Sequence, residues 1–172
     1  KSAGARVEPV FPGGEICMFF VDLAGQKDTV QILRDLQDAY LHRPELQAGL
    51  GEQNERIVRE AYKALGVGDA ERLGRLMTAA QKNFDARVAP ACADQLASPR
   101  LHELLEWDEL APHVWGGKGV GSQGDGTAQF VARSAADRDA AMSRICETFG
   151  EMQCFPLTIF PGRVAPQTAA AK

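Results

Sequence analysis

The chain has 172 residues, 45% of them apolar and 24% charged, with a formal net charge of −4. That length suits one globular domain able to bury a real core, and the acidic balance excludes the concentrated basic face that nucleic-acid binding needs. No apolar run approaches the ~18 residues of a membrane span, and no secretory apolar segment opens the chain.

Residues 1–15, with Pro9, Pro12, Gly13 and Gly14, read as an arriving linker. Ile16 to Leu23 is a continuous apolar run closed by Ala24-Gly25, which suits a buried strand. Asp28 or Thr29 can cap a helix in which Val30, Leu33, Leu36, Ala39 and Tyr40 recur at helical spacing, until Pro44 interrupts it. A second helix places Ile57, Val58, Ala61 and Leu65 on one face and stops at Gly66–Gly68. Asp69 then caps a third, with Leu73, Leu76, Met77 and Ala80 inward.

Residues 88–98 read as irregular, and Ser98-Pro99 as the cap and first turn of another helix. After a glycine-rich stretch, Ala128 to Ala132 forms a strand, Ser134 caps a helix with Ala135, Met142, Ile145 and Phe149 inward, and Gly150 stops it. Met152 to Ile159 is a last strand, with Pro156 marking an edge or bulge. The order predicts an α+β fold, an antiparallel sheet covered by helices on one face. Cys17, Cys92, Cys146 and Cys154 lack any CxxC spacing, so no zinc site is expected and buried, reduced thiols of a cytoplasmic protein are.

The chemistry concentrates in Trp115 to Thr127, where six of thirteen residues are glycine. Glycines are costly unless the backbone needs positive φ or a close approach, and a run of bare N–H groups can form a nest for phosphate oxygens. A long hairpin loop is the plainer reading. The spacing fits neither a P-loop, since the only lysine precedes the loop, nor a dinucleotide fingerprint, since a strand follows. Lys118 either neutralises phosphate or pairs with Asp125. Asp22 either meets a substrate hydroxyl or caps the turn at Ala24-Gly25. Gln26 and Lys27 follow in that turn; His113 and Trp115 precede the loop and are further ligand candidates. His42 and His102 read as surface residues on helices.

Gly116 to Thr127 resembles the third motif of the GHMP kinases (galactokinase, homoserine kinase, mevalonate kinase, phosphomevalonate kinase), approximately G-A-K-x-T-G-A-G-G-G-G-C. Gly116, Lys118, Gly121, Gly124 and Gly126 match; Gly117, Ser122 and Thr127 are small where the family is small; Val120, Gln123 and Asp125 depart. Phe19 to Thr29 and Ser98 to Leu105 also resemble family segments, in the same order, so the likeness covers roughly residues 8 to 162. The family's ATP loop, P-x-x-x-G-L-x-S-S-A, has no counterpart here.

The resemblance implies a ferredoxin-like C-terminal domain over residues 16–162, with extra helices inserted between the first and second strands and a flexible tail at 163–172. It implies an ATP-dependent kinase of a small metabolite, with ATP and Mg²⁺ held mainly by an N-terminal GHMP domain. This chain alone is then incomplete and inactive, with no catalytic residue of its own. The site falls on Gly116, Gly117, Lys118, Gly119, Gly121, Ser122, Gln123, Gly124, Asp125 and Gly126. Gln123 and Asp125, polar where the family has glycine, suggest a sugar acceptor. A non-catalytic ferredoxin-like binding, regulatory or homodimerisation module is the alternative.

Overall fold

The computed structural model describes residues 10–162. The start of the expected linker, residues 1–9, and the expected tail, residues 163–172, lie outside them. Residues 10–15 are tied down: Pro12 O accepts from Gly162 N and Gly13 N donates to Leu65 O, each at 3.0 Å.

Four strands, β1 (Ile16–Asp22), β2 (Val114–Gly119), β3 (Thr127–Ala132) and β4 (Gln153–Ile159), form one sheet in the order β2-β3-β1-β4. Every neighbouring pair is antiparallel. This is the ferredoxin-like arrangement, and six helices fill the connection from β1 to β2. They are α1 (Thr29–Tyr40), α2 (Pro44–Leu50), α3 (Glu52–Val67), α4 (Ala70–Arg87), α5 (Ala93–Leu96) and α6 (Pro99–Leu105); α7 (Ala135–Phe149) joins β3 to β4. Asp28, Asp69 and Ser134 cap α1, α4 and α7 through their side chains, and Gly68 ends α3 in the left-handed region. Pro156 lies on β4, an edge strand, where a missing N–H costs no ladder bond.

Alternation along β1 sends Phe19 and Val21 to one face and Ile16 and Met18 to the other. On the first face Phe19 stacks on Phe130 with ring centroids 5.1 Å apart, and Leu101 and Leu104 of α6 with Ala141 and Ile145 of α7 complete the core. On the second, Ile16, Met18 and Val131 meet Met77 of α4 and Leu65 of α3. Helices therefore lie on both faces, not one. The middle of the chain is long enough to wrap the sheet, and α4 runs along the free edge of β2. There Thr78 Oγ1 accepts the Gly117 N–H at 3.4 Å and Gln81 Oε1 accepts the Gly119 N–H at 2.8 Å, blunting an open edge.

Several inward faces differ from the sequence reading. In α1 the buried residue is Ile32, while Val30, Leu33 and Tyr40 are exposed; Val58 of α3 and Ala135 of α7 are exposed too. Apolar spacing alone misplaced α1 because its stripe is wider than the surface it packs on. Cys146 is exposed, Cys17 and Cys154 are half-buried, and only Cys92 is buried. Residues 88–98 are not irregular but hold a 3-10 turn, Ala89–Ala91, and α5.

Candidate functional site

The glycine stretch divides in two. Gly116 to Gly119 belong to β2, so the expected loop over 116–126 contracts to residues 120–126. Gly117 and Gly119 are fixed from the β2 edge by Thr78 and Gln81. Within the loop, Gly121, Gln123 and Gly124 have φ of 64°, 64° and 73°. Two of these three are glycine, for which that conformation is cheap. Val120 N bonds Thr127 O and Gln123 N bonds Val120 O. Among the described residues, the backbone N–H groups of Gly121, Ser122, Gly124, Asp125 and Gly126 have no partner.

This loop is zipped to the segment that follows β1. Leu23 N donates to Gly126 O at 3.1 Å. Gly25 packs directly on Asp125, where a Cβ would lie 2.5 Å from the Asp125 Cβ. Thr29 Oγ1 and Ser122 Oγ are 3.4 Å apart. Lys27 crosses the loop: its Nζ donates to Gln123 O at 2.7 Å and Val120 O at 3.5 Å. A Cβ on Gly126 would sit 2.8 Å from the Lys27 Cε, so glycine there makes room for the lysine. Burial pushes the Lys27 pKa below the ordinary lysine value. Beside it opens a polar hollow of about 550 Å³ lined by Gln26, Lys27, Asp28, Thr29, Val30 and Gln95.

The remaining candidates have definite places. Asp125 Oδ1 accepts the Leu101 N–H at 3.0 Å, capping α6 in place of Ser98, which sits at the cap position with φ 46° and makes no capping bond. No ion pair joins Asp125 to Lys118: the Lys118 Nζ donates to Gly119 O at 2.5 Å, and burial lowers its pKa. Lys118 shares a row across the sheet with Gln129, Phe20 and Phe155, on the face that carries α3 and α4 farther down. The Gln123 side chain is buried, its Oε1 without a hydrogen-bond partner. Asp22 Oδ1 accepts the Ala24 N–H at 3.0 Å and so closes the turn.

Two candidates are engaged elsewhere. His113 Nδ1 lies 3.1 Å from Asp137 Oδ1, binding the start of β2 to the first turn of α7. Trp115 lies under the Arg133 guanidinium, 4.1 Å from the ring centroid, and packs on Gly74. It lines a separate cavity of about 390 Å³ between α4, α6 and β2. The structure thus brings Lys27, Gln26, Asp22, Ser122, Gln123 and Asp125 together and leaves His113 and Trp115 apart.

Sequence reasoning missed the support behind the loop. Gln81 is buried and passes its Nε2 hydrogen to Asp85 Oδ1 at 2.8 Å; Asp85 Oδ2 takes a hydrogen from His102 Nε2 at 3.2 Å. His102 Nδ1 reaches the Ser98 carbonyl at 2.9 Å. Both ring nitrogens face acceptors, which suits the imidazolium. Burial opposes that charge, but the hydrogen bond and charge of Asp85 with the two backbone carbonyls outweigh it, and the His102 pKa is raised. The one available signal was the i, i+4 pair Gln81 and Asp85 on the face of α4 that also carries Gly74 and Met77.

Among the described residues no cluster of three His, Cys, Asp or Glu side chains could hold a metal. The loop's own carboxylate is turned to α6, so these residues do not fit a resident cation. The free N–H groups and the Lys27 ammonium are the donors that this turn presents.

No family model matches the sequence, and no curated protein is found to resemble it. Solved structures do. Mevalonate kinase from L. major, in complex with R-mevalonate, matches at a TM-score of 0.75 and 22% identity, over 90% of this chain and 45% of that one. The fold is the GHMP kinase fold. Phosphomevalonate kinase from Streptococcus pneumoniae matches at 0.66 and 15% identity, covering 88% and 43%. Homoserine kinase from Cytophaga hutchinsonii matches at 0.55 and 14%, covering 91% and 44%. The chain spans less than half the length of these GHMP structures. No helix of the described residues is long and apolar enough to cross a membrane.

Proposed function

We propose that this chain is the C-terminal portion of an ATP-dependent kinase of a small metabolite, of GHMP type, working in the cytoplasm with an N-terminal GHMP domain from the same gene or a partner chain. The observation that carries this reading is the zipped pair of loops: five unpartnered N–H groups and the Lys27 ammonium at one turn, on a fold shared with kinases. Phosphoryl transfer requires positioning and charge stabilisation more than a nucleophile, and backbone donors with one lysine supply both. ATP and Mg²⁺ are assigned mainly to the N-terminal region, because the described residues offer no carboxylate cluster.

A sugar acceptor rested on Gln123 and Asp125. One is buried and the other caps a helix, so the acceptor is better stated as a metabolite hydroxyl or phosphate. The test is complementation. The chain is co-expressed with an N-terminal GHMP kinase segment that bears P-x-x-x-G-L-x-S-S, taken from the same gene or a partner chain, and ADP release is followed across hydroxylated and phosphorylated metabolites. Turnover should need both parts. Equal turnover by the 172-residue chain alone would overturn the division of labour, and none from the pair with any acceptor would overturn the kinase reading.

A further inference from the structure

Gln123 is the least comfortable residue of the loop. Its carboxamide is buried at 5% exposure and Oε1 has no donor, although buried acceptors are almost always paired. Its φ of 64° lies in the left-handed region, which a glutamine occupies at a cost. The side chain lies folded back over Gly119, in space that exists only because that residue has no Cβ. A Cβ there would overlap Oε1 and would lie 2.9 Å from the Leu101 Cδ2. Strain and an unpaired acceptor thus coincide at one position of a loop with other reasons to bind ligand.

What keeps Gln123 in place is Lys27. Its ammonium takes the Gln123 and Val120 carbonyls as its hydrogen-bond acceptors. No carboxylate forms an ion pair with it among the described residues. Neutral carbonyls are weak partners for a partly buried cation, and burial has already lowered its pKa. A phosphate oxygen is a stronger one, since charge-assisted hydrogen bonds are roughly twice as strong as neutral ones.

We infer that Lys27 and Gln123 form a ligand-released latch on the glycine loop. Phosphate oxygens displace the two carbonyls from the Lys27 ammonium, and the Gln123 side chain leaves its niche over Gly119 to join the ligand's shell. Gln123 then contributes to recognition only in the bound state, and the niche holds the free loop closed. The latch rests on the phosphate-loop reading above.

The 172-residue chain is titrated with sodium pyrophosphate. Binding is followed by calorimetry, and the Gln123 side-chain amide and the backbone exchange of residues 120–126 by NMR. At saturation the Gln123 amide resonance should move and exchange across 120–126 should change. Gln123→Met fills the niche without an unpaired acceptor, so it should lock the loop and weaken binding roughly fivefold; Gln123→Gly should bind at least as tightly as the wild type. Lys27→Met should weaken binding by about tenfold or more. An unmoved Gln123 amide at saturation overturns the latch, as do equal affinities in wild type, Gln123→Met and Gln123→Gly. Either result, with Lys27→Met still weak, leaves the phosphate reading standing. No binding by the wild type overturns both.

Discussion

Asp125 reaches out of the glycine loop to accept the Leu101 backbone N–H at 3.0 Å. The residue that most strains the likeness to a phosphate loop, a carboxylate where glycine is the pattern, is thereby turned to α6 and fixes the loop there. It does the work that Ser98, in a left-handed conformation, leaves undone. One hydrogen bond thus commits the loop's acidic residue to a backbone donor and couples the loop to the core beneath α6.

Asp125→Ala should therefore act first on stability. Loss of a side-chain helix cap costs about 0.5–2 kcal/mol, and urea melts of the chain should show it. Asp125→Asn, which keeps an acceptor oxygen, should retain most of the wild-type midpoint. An unchanged midpoint in Asp125→Ala would mean that the cap contributes nothing.

The His102 pair gives stability a pH dependence of known sign. Its folded-state pKa is raised, so the contribution is fully present below the unfolded value of about 6.5 and is lost as pH rises through the folded pKa. Thermal midpoints should fall across that window in the wild type and fall less in His102→Asn. The charges facing the ring are Asp85 from α4, with Lys82 and Glu106 on the same cavity wall. Asp85→Asn should flatten the profile in the same way.

Close approach of α4 to the β2 edge predicts an intolerant position. A Cβ on Gly74 would lie 2.5 Å from the Trp115 Cβ and 2.7 Å from its carbonyl carbon. Gly74→Ala should destabilise by about 1–3 kcal/mol through overpacking, despite alanine's better helix propensity. A variant at least as stable as the wild type in the same melt would show that the edge contact yields.

Three strands of the sheet were legible in the sequence because they are apolar runs closed by glycine, proline or a helix cap, as at Ile16 to Leu23 and Ser134, whereas β2, half glycine, reads as loop. Three helix caps were legible for the same local reason. The coverage of both faces was not, because Met77 and Leu65 meet Ile16 and Met18 across long sequence separations that no periodicity encodes. The candidate site was half legible. Glycine density marked the turn, but the partners that define it, Lys27 on the Gln123 carbonyl and Gln81 on the Gly119 N–H, are tertiary bonds. Of the two roles open to Lys118, the pair with Asp125 followed from nearness in sequence, whereas strand pleating and the α6 cap send the two side chains to different partners.

Lys118 offers the sharpest separation of structure from function. It is half-buried and pairs with no carboxylate among the described residues, and burial holds its pKa down. The unfolded chain then binds the extra proton between the folded and unfolded pKa values, so this group makes stability rise with pH there and penalises folding below it. Lys118→Met removes that penalty and keeps the stem's apolar contacts. It should raise stability near neutral pH by on the order of 1 kcal/mol. In the two-part kinase proposed above the same change should lower kcat with little effect on KM for ATP, if the ammonium serves the transferring phosphate and not the ground state. Were Lys118→Met instead to lose stability, its bond to the Gly119 carbonyl would be what fixes the strand end. Lys118 would then leave the list of phosphate-loop residues.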